Sequence, residues 1–362
     1  MFLRVKMETN DLVKRQIISI AVSIVAILVL NWVFAAEGWL SALYFHRWYI
    51  FISTLLRKIL GIVPFSIGDV IYIVWVIVGI IFLLRTLWSL IRGQWKDLLY
   101  RSLKGLGSIL WLYFIFLLFW GGHYRRNALA ADLGFDVKKY TTADLYLLTD
   151  TLVKLTNRDK AALDAIHPDT SALATFKTAA ESYREVSKIW PVLTYDNPSV
   201  KPSLYGKYLN YIGVTGYLNP FTNEAQVNTT VPAFLQPFTT CHEIAHQLGY
   251  APEEDANFIG YIAASRVADS RFRYAANFEM LLYSVRQLGR RNSYLARLMW
   301  NRTSPGVRED VRKMILFYRA YEGPIDDYSA VLYDQYLKAN QQAKGIRSYS
   351  EVVGWLMAYY RI

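Results

Sequence analysis

The chain has 362 residues, 54% hydrophobic and 19% charged, with a net charge of +11 and a single cysteine, Cys241. One cysteine excludes an intrachain disulfide and any cysteine-rich zinc module. The charge does not point to nucleic acid. Residues 1–124 carry 12 Lys+Arg against 5 Asp+Glu, and residues 125–362 carry 28 against 24. The surplus therefore flanks apolar segments and forms no basic stripe interleaved with aromatics.

Taken in chain order, "IISIAVSIVAILVLNWVFAA" (17–36) is free of charge over a length that crosses a ~30 Å hydrocarbon core. It is longer than the apolar run of a cleaved signal peptide. "IGDVIYIVWVIVGIIFLL" (67–84) and "GLGSILWLYFIFLLFWGG" (105–122) are a second and a third span. The segment 44–62 between the first two carries Arg47, Arg57 and Lys58 among apolar residues, with Trp48 and Tyr49. It reads as an amphipathic helix lying in the membrane interface. Arg4, Lys6, Lys14 and Arg15 precede the first span, and Arg85, Arg92, Lys96, Arg101 and Lys104 fill the 85–104 loop. By the bias of basic residues both regions are expected in the cytoplasm. Everything after the third span is then expected outside it.

Residues 125–362 read as a mainly helical α+β domain. Helical periodicity is expected from Thr142, as N-cap, through "TTADLYLLTDTLVKLTN", and again over 169–190 up to Pro191. Residues 203–232, rich in Tyr, Thr, Val, Gly and Asn, suit a small sheet of short strands. "VVGWLMAYY" (352–360) is too short to span and is expected as a buried or interfacial helix.

The chemistry-bearing stretch is "TTCHEIAHQLGYAPEEDANFIGY" (239–261). Pro237 suits a first helical turn and Gly249 a helix end. His242 and His246 are four residues apart, so both imidazoles lie on one helix face, where they can share one Zn²⁺ at ~2.0–2.1 Å. Glu243 projects beside the metal, placed to take a proton from an attacking water. The remaining histidines are His46, His123 and His167, and none follows His246. The third ligand is therefore expected to be a carboxylate: Glu253 first, then Glu254, then Asp255. Small residues at Ala256, Gly260 and Ala264 would let the second helix approach the histidine helix closely. Asn257, one turn after Glu253, is expected to accept a hydrogen bond from a ligand imidazole.

"HEIAH" followed by "EEDAN" resembles the zincin metallopeptidases of the glutamate-ligand type, several of which are membrane-bound and carry a Glu-x-x-Ala-Asp ligand motif. Glu253, Ala256 and Asn257 would match it, with asparagine in place of the usual aspartate. The longer run "GYLNPFTNEAQVN…PFTTCHEIAHQLG…EEDANF" also resembles an uncharacterised bacterial membrane family catalogued only as a domain of unknown function. The resemblance implies a zincin-like domain with Zn²⁺ as cofactor. In "TNEAQVNTT" (222–230), Glu224, Gln226 and Asn228 line one face of a strand that resembles the zincin edge strand, where an extended peptide would pair. A donor for the developing oxyanion is sought among Tyr261, Tyr274, Tyr283, Arg266 and Arg273.

Together these readings describe a three-span bacterial inner-membrane protein with a cytoplasmic N-terminus and an extracytoplasmic zinc metallopeptidase domain. Its partners are the lipid bilayer and a peptide or protein substrate. The alternative is a non-catalytic peptide-binding receptor or scaffold that retains a metal site.

Overall fold

In a computed structural model, residues 2–36, 38–126, 128–339 and 351–362 are described. They form two compact units: residues 1–52, 67–125 and 220–222 make the first, and residues 53–66, 126–219 and 223–362 the second.

The first unit is built on three apolar helices: α1 (Phe2–Ala35), α4 (Ile67–Ile91) and α5 (Trp95–Phe119). The stretches Asp11–Ala35, Ile67–Ile91 and Trp95–Phe119, 25 residues each, are long and apolar enough to cross a membrane. They are longer than the sequence runs suggest, and the expected 85–104 loop is a correction. Arg85, Lys96, Arg101 and Lys104 lie on the helices themselves, and only a tight turn with Gly93 at φ +64° separates α4 from α5. Helix α5 meets α1 where Gly107 faces Ile20 and Trp111 Nε1 donates to Ser19 Oγ at 3.0 Å. Between α1 and α4 the chain forms α2 (Trp39–Leu43), one π turn (Tyr44–Trp48) and α3 (Tyr49–Leu60). The Tyr44 hydroxyl donates to the carbonyls of Leu117 and Leu118, which lie in the last turn of α5 and have no partner within the helix.

The second unit takes the C-terminal two thirds of α3 and the following turn. Its other elements are α6 (Ala128–Leu133), α7 (Thr142–Asp164), α8 (Ala172–Ser187), β1 (Val200–Pro202), α9 (Gly206–Leu209), β2 (Gly216–Asn219) and β3 (Glu224–Val227). These are followed by α10 (Gln236–Gln247), α11 (Glu253–Arg266), α12 (Ser270–Arg291), α13 (Ser293–Asn301), α14 (Pro305–Arg319), α15 (Pro324–Ala339) and α16 (Val352–Tyr360). The N-cap of α7 is Thr141, one residue before the expected Thr142. Thr141 Oγ1 accepts from the Asp144 N–H, and Asp144 Oδ2 accepts from the Thr141 N–H, because the reciprocal box requires the acid three residues after the cap. The core joins Leu145, Leu148 and Leu152 of α7 to Ile244 of α10, Ile259 and Ile262 of α11 and Phe272 and Phe278 of α12. Val353 and Leu356 of α16 complete it, so 352–360 is a buried helix.

The sheet has the order β1-β3-β2. Strand β3 runs parallel to β1, with Ala225 opposite Val200, and antiparallel to β2, with Val227 opposite Gly216. The expected edge strand is therefore the central one, a correction that follows from long-range pairing. Glu224, Gln226 and Asn228 are buried and serve the sheet's own packing. Gln226 Nε2 donates to Ser66 Oγ, Asn228 Nδ2 donates to Asn210 Oδ1, and Glu224 lies within electrostatic reach of Lys201. The outer strands are β1 and β2. The Asn228 N–H bonds the Thr215 carbonyl at 2.9 Å. By antiparallel alternation Tyr217 is the next residue bonded inward, and the backbone groups of Gly216 and Leu218 point away from β3.

Candidate metal centre

Helix α10 begins with Pro237 in its first turn, where a missing N–H costs nothing, and ends at Gly249, whose φ of +91° favours glycine. All twelve of its residues are buried. A helix buried on every side must satisfy each of its polar side chains internally. Thr240 Oγ1 donates to the Gln236 carbonyl, and Gln247 Nε2 donates to the carbonyls of Ser199 and Asn223. His242, Glu243 and His246 remain, and they are the residues that the sequence motif singles out.

The turn at Gly249 brings the Tyr250 carbonyl to 2.7 Å from His246 Nδ1, which leaves Nε2 of that ring facing the next helix. Helix α11 starts at Glu253, with Pro252 as its cap and Glu253, Glu254 and Asp255 in its first turn, where the helix dipole favours acids. It lies close to α10 because of Gly260. A Cβ at that position would meet His242 N at 3.0 Å and His242 Cα at 3.1 Å.

This approach brings three ligand atoms together. Glu253 Oε2 lies 3.2 Å from His242 Nε2 and 3.6 Å from His246 Nε2. The ring centroids are 4.7 Å apart and the rings are perpendicular. Two donors–acceptors that close would normally be hydrogen-bonded, yet Glu253 Oε2 is buried without a well-directed bond, as is His242 Nδ1. The trio fits a tetrahedral cation. Bonds of ~2.0–2.1 Å at tetrahedral angles put ligand atoms about 3.3 Å apart, and the two observed separations bracket that value. Glu253 is the only carboxylate of the expected three in this cluster among the described residues. Glu254 and Asp255 instead line a separate cavity with Arg126, Gln287 and Trp355, because successive residues of a helix point in different directions.

The electrostatics follow from burial. Burial alone would raise the Glu253 carboxyl, but the two imidazoles beside it hold it far below the usual carboxylate range. Burial disfavours the His246 cation, yet Glu253, Glu243 and the Tyr250 carbonyl carry its pKa up to about 9. Glu243 stands outside the trio. Burial pushes its carboxyl up to about 7 against the pull of both histidines, and its Oε2 has no hydrogen-bond partner among the described residues. Strand β2 runs alongside it. A Cβ at Gly216 would sit 2.7 Å from Glu243 Oε1 and 2.8 Å from its Cγ, so only glycine admits this approach of the strand.

Several expected roles change. The Tyr250 backbone carbonyl accepts the hydrogen bond that orients His246, and Asn257 is a buried residue of α11. Tyr261 donates to Asn277 Oδ1 and Tyr274 to Asp310 Oδ2, so both hydroxyls are engaged elsewhere. Arg266 lies over Trp190 and Tyr359, and Arg273 pairs with Asp159. Tyr283 of α12 is the exception. Its hydroxyl lies within electrostatic reach of Glu279 and Glu253, and Glu279 in turn lies within reach of His242.

Two residues carry no local sequence signal. Tyr333 of α15 donates from its hydroxyl to Glu253 Oε1 at 2.8 Å across 80 positions of chain. Arg57, expected among headgroups, is 3% exposed and belongs to the second unit. It donates to the Gln247 carbonyl at the end of α10 and to Asn223 Oδ1, and it lies over the Tyr195 ring. A fixed cation is favourable at a helix C-terminus.

These features define a predominantly helical protein with three helices able to cross a membrane, a three-stranded sheet and a buried His-His-Glu cluster flanked by a further glutamate. The chain belongs to the family described as Protein of unknown function (DUF3810), whose profile matches residues 44–357. No curated protein and no solved structure matches it.

Proposed function

We propose that the protein is a membrane-anchored zinc-dependent peptidase that hydrolyses peptide bonds of extracytoplasmic or membrane-tethered substrates. The observation that carries this reading is the convergence of His242 Nε2 and His246 Nε2 on Glu253 Oε2, at 3.2 and 3.6 Å, with the Glu243 carboxylate beside the cluster. His242, His246 and Glu253 would hold the metal. When bound, Zn²⁺ supplies Lewis-acid polarisation of the scissile carbonyl and of the attacking water.

The chain's own residues do the rest. Glu243 Oε2, buried and without a hydrogen-bond partner among the described residues, takes the proton from the attacking water and passes it to the leaving amine nitrogen. The outward-pointing backbone groups of Gly216 and Leu218 on β2 suit an extended peptide that adds as a further strand beside Glu243. The Tyr283 hydroxyl, within electrostatic reach of Glu253, is the donor assigned to the developing oxyanion.

The bilayer anchor is the set of three apolar helices. Basic residues ahead of the first and around the turn between the second and third support an N-terminus in the cytoplasm and a domain after Arg125 on the other side of a bacterial inner membrane. The test is a comparison of full-length wild type and Glu243→Gln in detergent, by zinc content and by cleavage of a mixed peptide library. Both are expected to bind zinc and only the wild type to cut. Zinc binding by both with no cleavage by either would overturn the peptidase reading in favour of a metal-retaining receptor.

A further inference from the structure

Glu253 has two carboxylate oxygens, and the structure divides them between two tasks. Oε2 converges with the two imidazole nitrogens, while Oε1 accepts the Tyr333 hydroxyl at 2.8 Å. We infer that Tyr333 is a positioning residue that fixes Glu253 as a one-oxygen metal ligand and ties helix α15 to the metal centre. The inference rests on the metal reading above and adds to it a residue that acts through Glu253.

The chemistry is specific to the hydroxyl. A carboxylate free to rotate can turn both oxygens to a cation and fill two positions. One whose Oε1 is engaged by a fixed donor presents a single oxygen, so a tetrahedral site keeps its fourth position open. Hydrogen bonds to ligand carboxylates orient them in this way, and their loss typically weakens metal binding 10–100-fold. Packing alone does not account for the tyrosine. The residue is 38% exposed, and a phenylalanine would cover the same surface without reaching Glu253 through a polar atom.

Helix α15 also meets the segment that leads into β2. A Cβ at Gly213, three residues before β2, would sit 3.7 Å from Asp326 Oδ1. Asp326 precedes Tyr333 by two helical turns, about 10 Å along the axis. One helix thus bears on both the approach to β2 and the metal carboxylate.

The experiment uses full-length protein in detergent and the variants Tyr333→Phe, Tyr333→Leu, Tyr336→Phe and His246→Ala. Zn²⁺ affinity is measured by chelator competition, the visible spectrum of the Co²⁺-loaded protein reports coordination number, and thermal melting monitors folding. Tyr333→Phe is expected to bind Zn²⁺ about 10–100-fold more weakly than wild type, to lose intensity in the Co²⁺ bands and to melt as wild type. Tyr333→Leu should match it, and Tyr336→Phe should match wild type. Equal Zn²⁺ affinity and identical Co²⁺ bands in Tyr333→Phe and wild type would overturn the role of Tyr333 alone. A loss confined to Tyr333→Leu would likewise overturn it, since that is the behaviour of a packing residue. Wild-type binding no tighter than that of His246→Ala would overturn the metal centre and the inference together.

Discussion

Replacing Gly260 with alanine tests whether the metal geometry depends on helix contact. The added Cβ would lie 3.0 Å from His242 N, 3.1 Å from His242 Cα and 3.4 Å from Cys241 C. All three are backbone atoms, so no side chain can swing aside. Relaxation to an ordinary contact of ~3.5 Å moves α11 away from α10 by about half an ångström. Overpacking of this kind costs ~1–3 kcal/mol, and the helical preference of alanine over glycine returns ~1 kcal/mol. The expected net loss is about 1 kcal/mol, or a fall in Tm of ~2–4 °C for a unit of this size. Because His242 rides on α10 and Glu253 on α11, Zn²⁺ affinity should fall with it. Gly289→Ala in α12 is the control. There the nearest atom, Ala296 Cβ, is at an ordinary 3.6 Å, and the propensity gain stands alone. Melting and chelator competition on the two variants give the answer. A Gly260→Ala protein that melts higher than wild type and binds Zn²⁺ as tightly would refute the claim that close helix approach sets the site.

Three further predictions follow from buried or capping groups. Burial pushes the Cys241 thiol up to about 12, so the native protein should resist a maleimide at neutral pH and react fully once unfolded. Rapid labelling of the native fold would show the residue to be an accessible redox handle instead of a packing residue. Arg57→Ala removes the cation bonded to the Gln247 carbonyl and Asn223 and should cost about 3 kcal/mol. Arg57→Lys should recover only part of it, because a point charge cannot serve partners arranged around a planar fork; full recovery would argue that charge alone matters. Bonds from Thr141 hold the Asp144 carboxyl below its ordinary value. A carboxyl depressed in the folded state contributes stability above its unfolded pKa of ~3.9 that is lost as pH falls through the folded one. Asp144→Asn should therefore flatten the acid-side decline in stability, and an unchanged slope between about pH 5 and 3 would remove the cap from the account.

The His242-His246-Glu253 cluster was readable because its parts are close in the chain. Four-residue spacing fixes both imidazoles on one helical face, and a glycine and a proline mark where the second helix begins. The choice of Glu253 over its neighbours, and the need for small residues at Gly260, follow from the same local geometry. The three apolar helices were readable for an equally local reason, since length and lack of charge are properties of each segment alone. Their true ends were not, because amphipathic ends continue a helix beyond its apolar part.

Tertiary structure decided whatever depends on residues far apart in sequence. Strand order was one such matter. The pattern in 222–230 suits an exposed edge, yet pairing with β1 on one side and β2 on the other buries Glu224, Gln226 and Asn228 and leaves Val200–Pro202 and Gly216–Asn219 as the outer strands. The partner of Glu253 was another, since nothing local distinguishes Tyr333 among 27 tyrosines. Arg57 was a third: its spacing suits a membrane surface, but a helix terminus 190 residues away supplies the acceptors that bury it. The sequence by itself determined which side chains have the chemistry to grip a cation. Folding determined which backbone passes beside Glu243, which hydroxyl holds Glu253 and which cation closes the helix that bears both histidines, because those contacts arise only when segments distant along the chain are brought together.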